Sequence, residues 1–185
     1  AGYIRRFTML RWRKPQDAAL INALIERRSP FYLLPLQLNS DAQIRDHSRF
    51  DHMNGVMEFV MASFARQAPV AARLVIKNHP LDAGLDDYRR VVTGLEKKFA
   101  LSGRIDYLES GDLEKLLSSA RGVVTINSTL GFLSVGTRCP TVTLSDPIYN
   151  LPGLTFQGPL DDFWQDTGKP DAELFRRFRN TVIHT

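Results

Sequence analysis

The sequence predicts an α/β fold, a doubly wound, Rossmann-like lobe built on a parallel sheet, and three observations lead there. Five short runs rich in β-branched and other apolar residues are spread along the chain, separated by stretches of helical periodicity. Single helices between successive strands imply right-handed crossovers, and therefore parallel neighbours. One run, GVVTI (Gly122 to Ile126), is β-branched from Val123 to Ile126 with no charged residue and no alternation, as a strand covered on both faces should be.

In chain order, FYLLPL (Phe31 to Leu36) is a continuous apolar run with a proline at its exit, and reads as a buried strand. Val56, Phe59, Val60 and Phe64 then give one apolar helix face. RLVIK (Arg73 to Lys77) is the second strand, halted by Asn78-His79-Pro80. Leu85, Tyr88, Val92, Leu95 and Phe99 keep three-four spacing, a second amphipathic helix. RIDYL (Arg104 to Leu108) is the third strand. Ser110-Gly111-Asp112 opens the helix carrying Leu113, Leu116 and Leu117, with Asp112 suited to a first turn. After GVVTI, Asn127-Ser128-Thr129 caps another helix, with Gly136 expected to end it. PTVTL (Pro140 to Leu144) is the last strand. A Pro- and Gly-rich loop from Ser145 to Pro159 follows, and Leu174, Phe175, Phe178 and Val182 place a closing helix.

With 185 residues, 43% of them apolar and 24% charged, the chain is an ordinary globular one, long enough to bury a core without staples. Its single cysteine, Cys139, forbids an intramolecular disulfide framework and reads as a cytosolic thiol. No Cys/His cluster has metal-ligand spacing, and no apolar run approaches the roughly 20 residues a bilayer demands. AGYIRRF at the N-terminus has the wrong order of charged and apolar residues for a signal peptide. Charge is uneven: residues 1–30 carry Arg5, Arg6, Arg11, Arg13, Lys14, Arg27 and Arg28 against Asp17 and Glu26, a net +5, while the remainder sums to −1. Such a segment suits anionic lipid head groups, or is simply a solvated helix face. No RNA-binding aromatic signature or DNA-reading motif accompanies it, so nucleic acid is not an expected partner. The expected organisation is a basic interlobe or linker helical segment at 1–30 and a nucleotide-binding domain at 31–185.

Ligands of doubly wound sheets sit beyond the carboxyl ends of the strands, which directs attention to two loops. In KNHP (Lys77 to Pro80), Lys77 offers a point charge and His79 a ring donor to a phosphate, while Pro80 biases His79 away from helix. Alone, the tetrapeptide is also a plain turn. TINST (Thr125 to Thr129) brings hydroxyls and backbone N–H groups to a helix N-terminus, an anion site or an ordinary cap. The pairing of the two loops says more than either. Neither glycine-rich phosphate loop occurs, which argues against a dinucleotide oxidoreductase and a P-loop NTPase. A third region, Pro35 to Ser48, concentrates Gln37, Asp41, Gln43, Arg45, Asp46 and His47, able to orient a sugar or supply a carboxylate, or else a polar connection with Asp41 in a turn.

LVIKNHP, VVTINSTLGF and PTVTLSDPIYNLPGLTF in this order, with LPLQLNSDAQIRDHSRF ahead of them, resemble the capsule polysaccharide biosynthesis family, specifically its β-Kdo-transferring members of KpsS and KpsC type. The resemblance runs from about Phe31 to Trp164. It implies a GT-B-type glycosyltransferase using CMP-β-Kdo, building the Kdo linker on a phosphatidylglycerol-type or glycolipid acceptor, at the inner face of the bacterial inner membrane and within a capsule assembly complex. The His-Pro and Ser/Thr motifs are also similar to those of GT-B CMP-sialic-acid transferases. Carried across, His79, assisted by Lys77, holds the donor phosphate together with Ser128 and Thr129. Asn127, Gln37 and Tyr149 would border the sugar or nucleotide, with Asp146 and Ile148 beside the cytidine. Retention of configuration would need a carboxylate nucleophile, for which Asp41 is the candidate, while Arg45 and His47 would grip the Kdo carboxylate.

The resemblance implies no cofactor beyond the donor substrate and no metal, there being no Asp-x-Asp between strands. A GT-B enzyme has two lobes, and this chain matches one. The expectation is a donor-binding lobe that, without its counterpart, would bind nucleotide and not turn it over. The alternatives are a UDP-sugar-using GT-B transferase or epimerase, and a non-catalytic capsule assembly or export factor.

Overall fold

The computed structural model describes residues 2–38, 50–82 and 86–184, and the side chains of 12–38, 50–82 and 86–182. Five strands form one parallel sheet: β1 (Phe31–Pro35), β2 (Arg73–Lys77), β3 (Ile105–Leu108), β4 (Gly122–Thr125) and β5 (Thr141–Thr143), in the order β3-β2-β1-β4-β5. In the register, Phe31 to Pro35 face Arg73 to Lys77, and Tyr32 and Leu33 face Gly122 and Val123. The doubly wound α/β prediction is therefore met.

Side-chain alternation explains how both faces are covered. Tyr32, Leu34, Leu74, Ile76 and Val124 point to one side, where helices α2 (Met53–Gln67) and α3 (Tyr88–Lys98) bury Met57, Val60, Phe64, Val92 and Leu95 against them. Phe31, Leu33, Val75 and Val123 point to the other, under α4 (Leu113–Ser119) and α1 (Gly2–Glu26), which contribute Leu116, Leu117, Ile21 and Leu24. Each such side chain contributes roughly 1.5–3 kcal/mol relative to exposure. A third, smaller cluster joins α5 (Thr129–Gly136) to α7 (Ala172–His184) through Val135, Phe132, Leu174, Phe175 and Phe178, with Tyr149 and Leu154 of the intervening loop.

One local feature meets expectation and one departs from it. Gly136 ends α5 as expected, and the left-handed turn after it is made by Arg138 (φ 61°). Gly136 serves packing: a Cβ there would lie 3.0 Å from the Phe175 ring. The short helix α6 (Leu160–Phe163) has no counterpart in the sequence reading, being a single turn too brief for periodicity. It carries Phe163 and Trp164 into an aromatic box with Tyr32 and Phe64, the Trp164 ring standing edge-on to both at 4.9 and 5.2 Å. Tyr32 also donates its hydroxyl to the Trp164 carbonyl at 2.5 Å. The second amphipathic helix starts at Tyr88, capped by Asp87, which accepts from the Arg90 N–H; Leu85 lies outside the described residues. No described helix is long and apolar enough to cross a membrane.

Candidate functional site: a cleft at the switch point of the sheet

In a sheet ordered 3-2-1-4-5, the chain reverses its direction of winding between β1 and β4, and a crevice opens above that point. Here it is a half-open cleft of ≈ 950 Å³ at the carboxyl ends of the strands. Each wall is a loop leaving a strand. Gln37 and Leu38 follow β1, His79 follows β2, Asn127 to Thr129 follow β4, and Ser145 to Tyr149 follow β5, with Phe132 and Val182 completing it from α5 and α7.

At the β4 exit the chain turns directly into α5. Ser128 is the N-cap, its Oγ accepting from the Leu130 N–H at 3.1 Å. The Gly131 N–H donates to the Ser128 carbonyl at 2.9 Å, so the helix start meets the cleft at Ser128 and Thr129, where its partial positive charge favours an anion. The Ser128 carbonyl is held by the Tyr149 hydroxyl, 2.6 Å away. Burial pushes the Tyr149 phenol well above its ordinary value, so it stays a protonated donor. The helix must be a glycine at its third position: a Cβ on Gly131 would lie 2.3 Å from the Tyr149 hydroxyl oxygen. Across the switch point, Gln37 donates its Nε2–H to Asn127 Oδ1 at 3.2 Å, tying the β1 loop to the β4 loop.

His79 is half-buried, and its Nδ1 accepts the Leu81 N–H at 3.1 Å. A neutral ring with an accepting Nδ1 carries its proton on Nε2. His79 lies on the wall of the cleft, and Nε2 is the nitrogen of its ring that can donate. His79, Ser128 and Thr129 thus place one imidazole, two hydroxyls and a helix start around one space, an arrangement suited to a phosphate oxyanion.

The cleft gathers six of the residues singled out from sequence, namely Gln37, His79, Asn127, Ser128, Thr129 and Tyr149, along with Asp146 and Ile148. Lys77 does not line it. Lys77 is buried at the end of β2, donates from Nζ to the Asn78 carbonyl at 3.3 Å, and lies near Asp17 of α1. Desolvation pulls its ammonium below the ordinary lysine value, with Asp17 partly opposing this. Asp41, Arg45 and His47 lie outside the described residues.

Sequence reasoning missed Phe132 and Val182. Val182 keeps the spacing of a core-facing position, yet it is 41% exposed and borders the cleft, while Leu174, Phe175 and Phe178 pack inward. Helical spacing gives a face, and only the docked position of the helix tells which end of that face is covered. Among the described residues, no three His, Cys, Asp or Glu side chains are grouped to hold a metal ion.

Comparison with known proteins agrees with the motifs. The chain is 40% identical over 164 residues to the capsule polysaccharide export protein KpsS of Escherichia coli, covering 89% of this chain and 41% of that protein. It is 37% identical over 150 residues to the capsule polysaccharide modification protein LipB of Neisseria meningitidis serogroup A, covering 80% of this chain and 36% of that one. The chain thus spans well under half the length of either relative. Among solved structures, Thermosulfurimonas dismutans KpsC, a β-Kdo 2,7 transferase, superposes with a TM-score of 0.50 at 19% identity, covering 96% of this chain and 67% of that one. At that identity the likeness speaks for the fold. The family described as "capsule polysaccharide biosynthesis protein" matches residues 1–185, from the basic helix through the His79 loop and the Ser128 cap to the closing helix, and the chain belongs to it.

Proposed function

We propose that this chain is the donor-binding lobe of a glycosyltransferase that takes Kdo from CMP-β-Kdo during assembly of a capsular polysaccharide linker. The observation that carries the reading is the convergence of His79, Ser128 and Thr129, from two separate βα loops, on one cleft at a helix start. As the bond between the anomeric carbon and the phosphate oxygen breaks, negative charge grows on CMP. Fixed donors are worth most where charge develops. His79 would give its Nε2–H and Ser128 and Thr129 their hydroxyls to that phosphate, assisted by the end of α5. Lys77 would act at longer range, through its charge beneath the loop. Gln37, Asn127 and Tyr149 would border the nucleotide and sugar, with Phe132 and Ile148 offering apolar surface to the base.

A β-linked product from a β-linked donor is retention, which a carboxylate nucleophile would provide by double displacement. Asp41 is proposed for that role and Arg45 for the Kdo carboxylate. No metal or cofactor is called on. The acceptor would be a phosphatidylglycerol-type lipid or glycolipid, held with a second lobe and within a capsule assembly complex. The basic segment 1–30 would then lie near anionic lipid at the inner face of the inner membrane.

A thermal-shift titration with CMP, CDP, UMP and UDP, on wild type and His79→Ala, tests this. At 100 times Kd a native-state ligand adds about 2.7 kcal/mol. Stabilisation by CMP in preference to UMP, abolished in His79→Ala, is the expected result. Equal CMP and UMP responses would favour the UDP-sugar reading. The Escherichia coli relative is named an export protein, and a folded chain that responds to none of the nucleotides would favour a non-catalytic assembly or export role.

A further inference from the structure

Behind the cleft lies a buried polar cluster of which the steps above use only Lys77. It comprises Lys77 and Asn78 at the end of β2, Asp82, Glu109 just after β3, and Asp17 of α1, each no more than 9% exposed. Asn78, 2% exposed, is its hub. Its Nδ2 donates to Asp82 Oδ2 and to Glu109 Oε2, both at 3.0 Å, and its Oδ1 accepts the His79 backbone N–H at 2.8 Å. Two carboxylates on one side and an N–H on the other permit only one orientation of the amide. Glu109 is itself held in place, because Asp17 Oδ2 accepts from the Glu109 N–H, the Ser110 N–H and the Ser110 hydroxyl at 3.1, 2.9 and 3.0 Å. An unbroken set of hydrogen bonds therefore runs from α1, through the loop after β3, to the backbone of His79.

We infer that Asn78 is the positioning residue of His79: its amide, clamped by Asp82 and Glu109, sets the backbone from which the ring accepts the Leu81 N–H at Nδ1 and lines the cleft. Only a primary amide meets the demand. It supplies two hydrogens to two carboxylates and one acceptor to an N–H; aspartate would set a third carboxylate against the pair, and leucine would strand them in a buried site. The inference rests on reading His79 as a ligand of the donor phosphate, but the ring geometry it predicts is measurable without any nucleotide.

The experiment is long-range ¹⁵N–¹H NMR of the histidine rings, with His79 assigned by the loss of its signals in His79→Gln, beside a CMP titration. Wild type should show the Nε2–H tautomer. Asn78→Asp should drive the ring toward mixed tautomers and weaken CMP binding tenfold or more. Combining Asn78→Asp with Asp82→Asn and Glu109→Gln turns both clamps into donors toward the new carboxylate, and should restore the wild-type ring signature and CMP affinity. An unchanged His79 ring in Asn78→Asp would overturn the inference, and so would a triple variant as disordered at His79 as the single one. If Asn78→Asp does not fold, the triple variant decides by itself. If wild type ignores CMP, the donor reading fails while the ring signals still judge Asn78.

Discussion

Glycine at position 131 shows how much one missing methylene group can fix. Tyr149 reaches the Ser128 carbonyl because α5 has no Cβ where the phenol passes, and a Cβ there would also come within 2.8 Å of Thr125 Cγ2. Gly131→Ala should overpack this contact and cost about 1–3 kcal/mol. Because the displaced hydroxyl braces the cap, the response to CMP should fall with it. A denaturant melt and the CMP titration check both, and a variant of wild-type stability would mean that the phenol moves aside at little cost. Cys139 offers a second test at this scale. It is 3% exposed, and burial pushes its thiol up to about 12. Only the thiolate is nucleophilic, so alkylation by iodoacetamide at pH 8 should be slow in the native chain and accelerate through the urea transition. Rapid native-state labelling would contradict the packing of Cys139 with Leu116, Leu117 and Val123.

At the scale of elements, α6 is held to α2 by a short polar chain. Trp164 donates its indole N–H to Ser63 Oγ at 2.7 Å, and Ser63 donates in turn to Asp161, which Arg66 also grips at 3.1 Å. Ser63→Ala leaves the buried indole N–H without an acceptor, for which about 1–3 kcal/mol of destabilisation is expected. The Ser63 hydroxyl first, and Arg66 second, hold the Asp161 carboxyl below its ordinary 3.8. A depressed folded value means that the unfolded chain takes up the proton first as pH falls. The contribution is therefore complete above 3.8 and lost as pH drops through the folded value. Asp161 is 37% exposed, so solvent screens the effect. Acid titrations of stability on wild type and Asp161→Asn should converge below that value and separate above it. The cap of α5 is a further element-scale test: Ser128→Ala should cost ~1 kcal/mol in stability, and should also remove a proposed phosphate donor.

Over the whole molecule, β1 is the centre from which the two windings depart, paired on both sides and covered on both faces. Amides of β1 and β2 should be the slowest to exchange with deuterium, while the three-residue edge strand β5 should exchange earlier through local opening. Uniform protection across the five strands would show that the sheet opens only as a unit. The same topology locates the cleft, since Gln37, His79 and Ser128 are far apart in sequence and meet because β1, β2 and β4 are neighbours.

Residue order was enough for the strands and most helices, because the signal is local. RLVIK and GVVTI are short apolar runs between periodic stretches, and a parallel α/β sheet is what such alternation packs into. It was also enough to expect the loops of His79 and Ser128 at one end of the sheet, because both follow strand exits, and the cleft brings them together. Family membership followed from motifs in a fixed order. The single turn of α6 escaped notice, since four residues have no periodicity to read. Only the folded chain turned Lys77 toward α1 rather than into the cleft, made Val182 a rim residue instead of a core one, and closed the Asn78 amide on Asp82 and Glu109. These are contacts between segments remote in sequence or at the limit of a helix face. They are set by which side of a strand a residue takes and by where a helix docks, which neighbouring residues do not encode.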